Sequence, residues 1–403
     1  MRVTLTGAAV YRDGQLRRED ILIEGNRIAA IVAPGTRLDA DSVVDCSGRI
    51  VSPGFADAHA HLREPGFPRK ETVATATAAA ARGGYTVVAA MPNIDPVPDS
   101  LEHTLQSLEI YRRDALVHVR AFGAITRGEF GQTLSDMEDI APYVAAFSDD
   151  GKGVQSEELM REAMLRARAV GKPIAAHCED NTLSGAQSEW RQVERDLRLV
   201  SETGCRYHVQ HASCRETVEL VRRAKSEGLP VTCETAPHYL CLNDNDVSDD
   251  GRFVMNPPIR SLQDQLALIE GLRDGAIDII ATDHAPHTAL EKSGGFAQSA
   301  RGVVGLETAF PALYTRLVLT GLIPLERLLE TLTAAPRALL GEPPGMTVGS
   351  PADITVLDTS TSYKIDPRAF LSKGRSTPFD GWEVRIQPML TFVEGRLMWN
   401  DGG

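Results

Sequence analysis

GFADAHAHL (54–62) opens apolar and closes on Asp57, His59 and His61, every second residue, with Arg63 continuing the spacing. Side chains alternate across a strand with period two, so these four share one face. Further runs repeat the design: YTVVAAMPN (85–93), VHVRAFGAI (117–125), YVAAFSDDG (143–151), KPIAAHCED (172–180), RYHVQHAS (206–213), PVTCETAPH (230–238) and AIDIIATDH (276–284). Most are followed by a stretch of helical composition such as EELMREAMLRARAVG (157–171). Eight strands with intervening helices over residues 53–340 have the size and rhythm of a (β/α)8 barrel. A doubly wound open sheet would more usually carry a Gly-rich phosphate loop after its first strand, and no such loop follows here.

The two ends read differently from the middle. Residues 1–52 are short alternating strands with turns at Asp13-Gly14 and Gly25-Asn26, and residues 341–403 repeat that style in ADITVLDTS, WEVRIQPML and FVEGRLMWN. We therefore expect a small β-sandwich formed by both chain ends (1–52 and 341–403) around a barrel domain (53–340).

A chain of 403 residues exceeds the roughly 250–300 residues of one simple core, which fits a large domain plus a small one. Hydrophobic residues at 42% and charged residues at 24% describe a globular protein. A formal net charge of −13 argues against nucleic acid as the main ligand, while leaving room for a local basic pocket that takes a small acid. The N-terminus, MRVTLTGAAVYRDGQLRRED, turns polar too early for the apolar core of a signal peptide. The least charged stretch, 72–92, is built from Ala, Thr and Gly with a Gly83-Gly84 break, and reads as a buried helix and strand rather than a membrane span. Six cysteines without a C-x-x-C pair fit a reducing cytoplasm, as small buried apolar residues.

In nearly every run the apolar part comes first and the polar residue last, at the strand's carboxyl end, where barrel active sites are built. His59 and His61 at i and i+2 can clasp one metal ion, and imidazole with carboxylate favours zinc. Asp57 is placed to hold a ligand histidine's second nitrogen. Further ligand-type residues end other runs: Asp149 and Asp150, His177, His208 and His211, and Asp283 with His284 and His287. This is more than one tetrahedral ion needs, so two ions sharing a bridging carboxylate fit best, activating a water held between them. Asp283 is placed to take that water's proton and pass it to a leaving nitrogen. Hydrolysis of an amide-like bond is the expected reaction class.

These residues resemble the amidohydrolase superfamily and, within it, the dihydroorotases of the larger bacterial type. The resemblance spans essentially the whole chain, through DAHAHLREPG (57–66), AMPNIDP (90–96), FSDDG (147–151), HCED (177–180), VQHAS (209–213), MNPPIR (255–260), TDHAPH (282–287) and GVVGLETAF (302–310). It implies that His59 and His61 bind one zinc, that His177 and His211 bind a second, and that Asp150 bridges them. Asp283 would be both ligand and proton shuttle. Arg63, Asn93 and His287 would hold a substrate α-carboxylate, with Asn256 and the main chain around Gly302 completing the substrate contacts. The implied reaction is the reversible cyclisation of N-carbamoyl-L-aspartate to L-dihydroorotate. A homodimer is the expected assembly, and association with aspartate transcarbamoylase is left open, with no nucleic-acid or membrane partner.

Related dihydropyrimidinases, hydantoinases and allantoinases are expected to bridge their metals with a carboxylated lysine on the fourth strand. Here that strand ends in Asp149-Asp150, and Lys152 lies beyond Gly151. Inactive scaffold relatives are expected to have lost ligands, whereas every ligand position is filled here. His208, on the strand face opposite His211, is expected to pack behind the barrel. His238 and His284 are candidates for supporting the ligands, and no chemical role is expected for His103 or His118. Cys178 beside His177 is expected to pack rather than act as a nucleophile. One departure is Ala300-Arg301 before Gly302, where the family resemblance implies Pro-Phe. The segment 288–301, TALEKSGGFAQSAR, reads as a mobile loop over the site.

Overall fold

The computed structural model describes residues 2–402. Eight parallel strands form one sheet: β6 (Phe55–Ala60), β7 (Tyr85–Ala90), β8 (His118–Ala124), β9 (Ala146–Ser148), β10 (Ile174–Ala176), β11 (Tyr207–Val209), β12 (Val231–Thr235) and β13 (Ile279–Ile280), paired in chain order. A parallel bridge between Ala60 and His284, with His61 N donating to His284 O at 2.8 Å, brings the last strand back to the first. This is the barrel expected from the eight runs. Its strands read as near-continuous apolar segments because both faces of a parallel sheet are covered.

The second sheet is mixed and recruits both chain ends. It contains β1 (Arg2–Arg12), β2 (Gln15–Glu24), β3 (Arg27–Val32), β4 (Ser42–Asp45) and β5 (Arg49–Pro53), joined by β14 (Ile354–Lys364), β15 (Glu383–Val393) and β16 (Arg396–Asn400). The ends meet where β5 runs antiparallel to β14, with Ser52 opposite Thr355. A core of its own, including Leu5, Val10, Ile21, Ile23, Ile354 and Val356, backs this sheet. Gly54 alone separates β5 from β6, so the small sheet feeds directly into the first barrel strand. A Cβ at Gly54 would lie 2.1 Å from the Thr86 side chain, which explains a glycine at that junction.

The least charged stretch, after residue 72, forms a helix, Val73–Arg82, and then β7. The Thr72 side chain caps the helix by accepting from Thr75 N, and Gly83 ends it where a Cβ would lie 2.1 Å from Leu306 O. Among the described residues no helix is long and apolar enough to cross a membrane. All six cysteines are buried and free.

Buried polar side chains fill the upper barrel interior and bond beyond the neighbouring strand as well as to it. Glu234 of β12 reaches His59 of β6, and Ser148 of β9 donates to Gln210 beyond β11. Such groups are tolerated only when each has a partner, and that requirement builds the site above them.

Candidate active site

His59 and His61 leave the end of β6, Asp150 follows β9, His177 follows β10, His211 follows β11 and Asp283 follows β13. The barrel gathers all six at one end. Asp150 lies at the centre: its Oδ1 is 3.4 Å from His59 Nε2, 3.4 Å from His211 Nε2 and 3.7 Å from His177 Nδ1, while its Oδ2 is 3.5 Å from His61 Nε2. Two sets of donor atoms result, His59/His61/Asp150 and Asp150/His177/His211, each with its atoms within 4.8 Å of one another and sharing Asp150. Asp283 Oδ1 stands 3.1 Å from His61 Nε2 and 3.7 Å from His59 Nε2.

The outer nitrogens of three of these imidazoles are occupied. His59 Nδ1 donates to Glu234 Oε1 (2.7 Å), His61 Nδ1 to Asn93 Oδ1 (2.8 Å) and His177 Nε2 to Glu179 Oε2 (2.9 Å). With those protons spent outward, lone pairs face inward toward Asp150. His177 Nδ1 and His211 Nε2 approach to 2.8 Å, and His59 Nε2 and Asp150 Oδ1 are buried without any hydrogen-bond partner among the described residues. Converging lone pairs and an orphaned carboxylate oxygen are costly alone and are satisfied together by cations. Imidazole nitrogens with carboxylate oxygens are the donor set of a divalent transition ion, so these residues fit a metal centre.

The backbone is strained at this centre. Arg63, His211 and Asp283 adopt positive φ values of 63°, 33° and 46°, a conformation that non-glycine residues hold only when their surroundings enforce it.

A cavity of about 210 Å³ opens beside the metal donors, lined by Arg63, Asn93, Asn256, Asp283, His287 and Gly302 among others. Every residue expected to touch substrate reaches this cavity. The Arg63 guanidinium is buried, with Nε donating to Pro286 O (3.2 Å) and Nη2 lying 3.4 Å from His287 Nε2. Burial first, then Arg63 and Lys70, push the His287 imidazole down to about 3, so it is neutral. It donates from Nε2 to Arg301 O (2.8 Å) and accepts from Lys70 Nζ at Nδ1 (3.3 Å). Asn93 serves the metal donors as well: its Oδ1 takes His61, and its Nδ2 donates to Asp150 Oδ2 (3.3 Å). Asn256 Nδ2 donates to Glu179 Oε2 (2.8 Å).

Asp149 and Asp150 part company. Asp149 Oδ1 accepts from Ile125 N (2.8 Å) and Thr126 N (3.0 Å), tying β9 to the end of β8, and burial pushes its carboxyl up to about 6. Lys152 points away, half exposed, with Nζ 3.8 Å from Glu129 and 5.3 Å from the Phe130 ring centre. Among the described residues, no lysine lines the cavity beside Asp150.

Two expectations need correction. Asp57 does not hold a ligand imidazole; it accepts from Thr282 N (2.9 Å) and Thr282 Oγ1 (2.5 Å). Two residues earlier on the strand means about 6.6 Å lower, where the neighbour is the chain after β13 rather than the ring of His59. His208 is not behind the barrel; it lies inside, with Nε2 donating to Glu234 Oε2 (3.0 Å) beneath His59. Burial alone would raise the Glu234 carboxyl, but the facing His59 and His208 outweigh it and hold it well below the usual range. Sequence reasoning missed Glu234 and Glu179. Glu179 follows His177 by two residues, a usable period-two signal, whereas nothing along β12 marks Glu234 as the partner of a histidine on β6.

The remaining candidates lie apart from the donors. The ring of His238 is buried against Tyr239, and its Nε2 has no partner among the described residues. His284 Nε2 is 3.5 Å from Glu71, and its Nδ1 accepts from Gly305 N (3.2 Å). His103 pairs with Asp99, and His118 with Asp353 on the small sheet side. Cys178 is buried with its Sγ 3.3 Å from Tyr207 Oη, and burial pushes its thiol far up, so it packs and is no nucleophile.

A parallel eight-stranded barrel with histidines and aspartates converging at its carboxyl end defines a hydrolase of the amidohydrolase type. Known proteins agree and narrow the class. The chain is 46% identical to a dihydroorotase of Geobacillus sp. (strain WCH70) and 43% identical to one of Fusobacterium nucleatum, over 98% of both chains in each case. Residues 48–189 match a family model described as dihydro-orotase-like. Among solved structures, an L-hydantoinase (dihydropyrimidinase) from Arthrobacter aurescens superposes with a TM-score of 0.93 at 27% identity, covering all of this chain and 96% of that one. A dihydropyrimidinase from Brevibacillus agri NCHU1002 shares the fold at a TM-score of 0.88 and 20% identity, covering all of this chain and 95% of its own. The chain belongs to the dihydroorotase family, whose members are metal-dependent cyclic amide hydrolases.

Proposed function

We propose that the chain interconverts L-dihydroorotate and N-carbamoyl-L-aspartate in pyrimidine synthesis, using two zinc ions, one held by His59 and His61 and the other by His177 and His211, with Asp150 bridging them and Asp283 a further ligand. The observation that carries this reading is Asp150 standing within 3.7 Å of inward nitrogens from both histidine pairs, with Lys152 turned away. That arrangement favours a dihydroorotase over the hydantoinase-type alternative, whose bridge would be a lysine, and over a scaffold without ligands.

When bound, the zinc ions supply a water activated as nucleophile at neutral pH and polarise the ring carbonyl. The chain does the rest. The Arg63 guanidinium is the charged partner for the substrate carboxylate, since His287 beside it is neutral and contributes shape and a dipole. Asn93 holds His61 and Asp150 and keeps its second amide hydrogen for substrate. Asn256 and the main chain of Gly302 close the pocket over the ring. In hydrolysis, Asp283 accepts the proton released by the attacking water and delivers it to the ring nitrogen as the carbon–nitrogen bond breaks. In synthesis the ureido nitrogen attacks the carbon of the protonated carboxyl group, and Asp283 takes the nitrogen's proton and passes it to the departing hydroxyl, which leaves as water.

Six free buried cysteines fit a reducing cytoplasm. A homodimer and an association with aspartate transcarbamoylase rest on the family resemblance alone. The test of the reaction is to start zinc-loaded protein from either compound. Both directions should converge on the same mixture, and failure of either compound to yield the other would refute the assignment.

A further inference from the structure

Residues 288–301 read as a mobile loop, yet a buried side chain ties them to the neighbouring backbone. The Lys292 ammonium, in a residue only 9% exposed, donates to three main-chain carbonyls: Ala300 O (2.7 Å), Gly302 O (2.8 Å) and Val254 O (3.0 Å). An ammonium has three N–H groups, and each finds one acceptor. No carboxylate among the described residues lies within 4.0 Å, so the cation is held by backbone dipoles rather than by a counter-ion.

The three carbonyls belong to the segments that carry the substrate pocket. Ala300 and Gly302 flank Arg301, whose own carbonyl receives the Nε2 proton of His287. Val254 stands two residues before Asn256, and its carbonyl also accepts from Gly302 N (2.9 Å). Gly302 sits at φ +134°, and a Cβ there would lie 2.6 Å from Ala285 O, so its backbone is pressed against the chain that follows β13. The loop's large apolar side chains do not anchor it: Leu290 is 84% exposed and Phe296 45% exposed. Its other ties are Glu291, which accepts from Thr288 N (2.9 Å) and pairs with Lys70 (3.1 Å), and Phe296 N, which donates to Asp249 Oδ1 (2.7 Å).

We propose that Lys292 is a positioning residue, whose ammonium fastens the 288–301 loop so that the Arg301–Gly302 backbone, His287 and Asn256 are held in register for substrate binding. This also explains how the loop closes without the Pro-Phe pair that the family resemblance implies before Gly302. The fastener has a pH limit. Burial holds the Lys292 ammonium down to about 8, with Asp250 partly opposing it. The neutral amine has two N–H groups for three carbonyls, so it releases one. The titratable and charged groups around the clamp are Asp249 and Asp250 before the turn Gly251–Phe253, Arg301 across it, and Glu291, Lys70 and the neutral His287 at the loop's base; of these, only Asp250 bears on the charge of Lys292.

The proposal rests on the dihydroorotase reading, and the test separates the two. Lys292→Met and Lys292→Gln are compared with wild type for KM and kcat toward L-dihydroorotate, zinc content, and cleavage by chymotrypsin within 288–301. Lys292→Met should raise KM about tenfold or more, with kcat within about threefold and zinc content unchanged, and the loop should be cut faster. Lys292→Gln, keeping two donors, should fall between. Wild-type KM should climb above about pH 8, and that climb should be missing in Lys292→Met. Unchanged KM and cleavage, or a joint fall of kcat and zinc content, would overturn the role. Should wild-type protein fail to turn over L-dihydroorotate, the substrate reading falls and cleavage alone decides: faster cutting upholds the fastening, equal cutting overturns it.

Discussion

Replacing Glu234 by Gln isolates what a buried carboxylate contributes beneath the metal centre. Glu234 Oε1 takes the Nδ1 proton of His59 at 2.7 Å, and its Oε2 takes the Nε2 proton of His208 at 3.0 Å. A glutamine of nearly the same shape can still accept from His59. Its amide hydrogens can face His208 if that ring changes tautomer and donates instead to Thr232 Oγ1, now 2.8 Å away. The fold therefore keeps its hydrogen bonds, while His59 loses the charge that makes its inward nitrogen a better donor. Outer partners of ligating histidines are worth about 10- to 100-fold in metal affinity, or about 1.4–2.7 kcal/mol. Glu234→Leu should lose that and also leave the buried His59 Nδ1 proton unpaired, at about 1–3 kcal/mol of folding stability. Equilibrium competition against a chelator gives the affinity, and urea unfolding of metal-free protein gives the stability. Glu234→Gln should move the first by at least tenfold and the second little. Wild-type zinc affinity in Glu234→Gln would refute the assignment of Glu234 as the support of His59.

Asp283→Ala should lose about 10²- to 10⁴-fold in kcat while retaining bound metal, whereas Arg63→Ala should mainly raise KM, by about 10- to 100-fold for a lost charge-assisted hydrogen bond; near wild-type kcat in Asp283→Ala would exclude the proton shuttle. Cys178→Ala should keep turnover within about threefold, because its thiol is buried and neutral, and a hundredfold loss would place it in the chemistry. The His118–Asp353 pair, 3.2 Å apart, should make stability pH-dependent. The hydrogen bond to Asp353 raises the His118 pKa, so its contribution is complete below about 6.5 and fades as pH climbs through the raised value. Asp353 is held low by His118 against the opposing effect of burial, so its share fades only at acid pH. From pH 6 to 9 wild type should lose up to about 1 kcal/mol more than His118→Gln in urea unfolding, and parallel losses would dismiss the pair.

The barrel was legible because each strand announces itself twice, by an apolar run and by the polar residue that ends it, and both follow from burial on two faces and exposure at one end. His59, His61, Asp150, His177, His211 and Asp283 could be picked out as ligand types for the same reason, although the pairing of the two histidine sets came from the family resemblance. What failed to read was whatever acts across the barrel. Period two places Asp57 on the face of His59, but the same spacing sets it about 6.6 Å below that ring, and the ring is served by Glu234 from β12, a residue that looks like any strand glutamate. Its spacing to His211 turns His208 outward, but His211 lies beyond the strand with φ of 33°, so strand alternation no longer relates the two. Lys292 sits in a polar, glycine-rich loop, where composition predicts motion, and only the fold brings Val254 within its reach.

The most direct test is hydrolysis of L-dihydroorotate by zinc-reconstituted protein, beside hydantoin and allantoin, with and without a chelator. Chelator-sensitive turnover of L-dihydroorotate alone is the predicted result. Turnover of hydantoin or allantoin in its place would contradict the bridge by Asp150 and the substrate drawn from it.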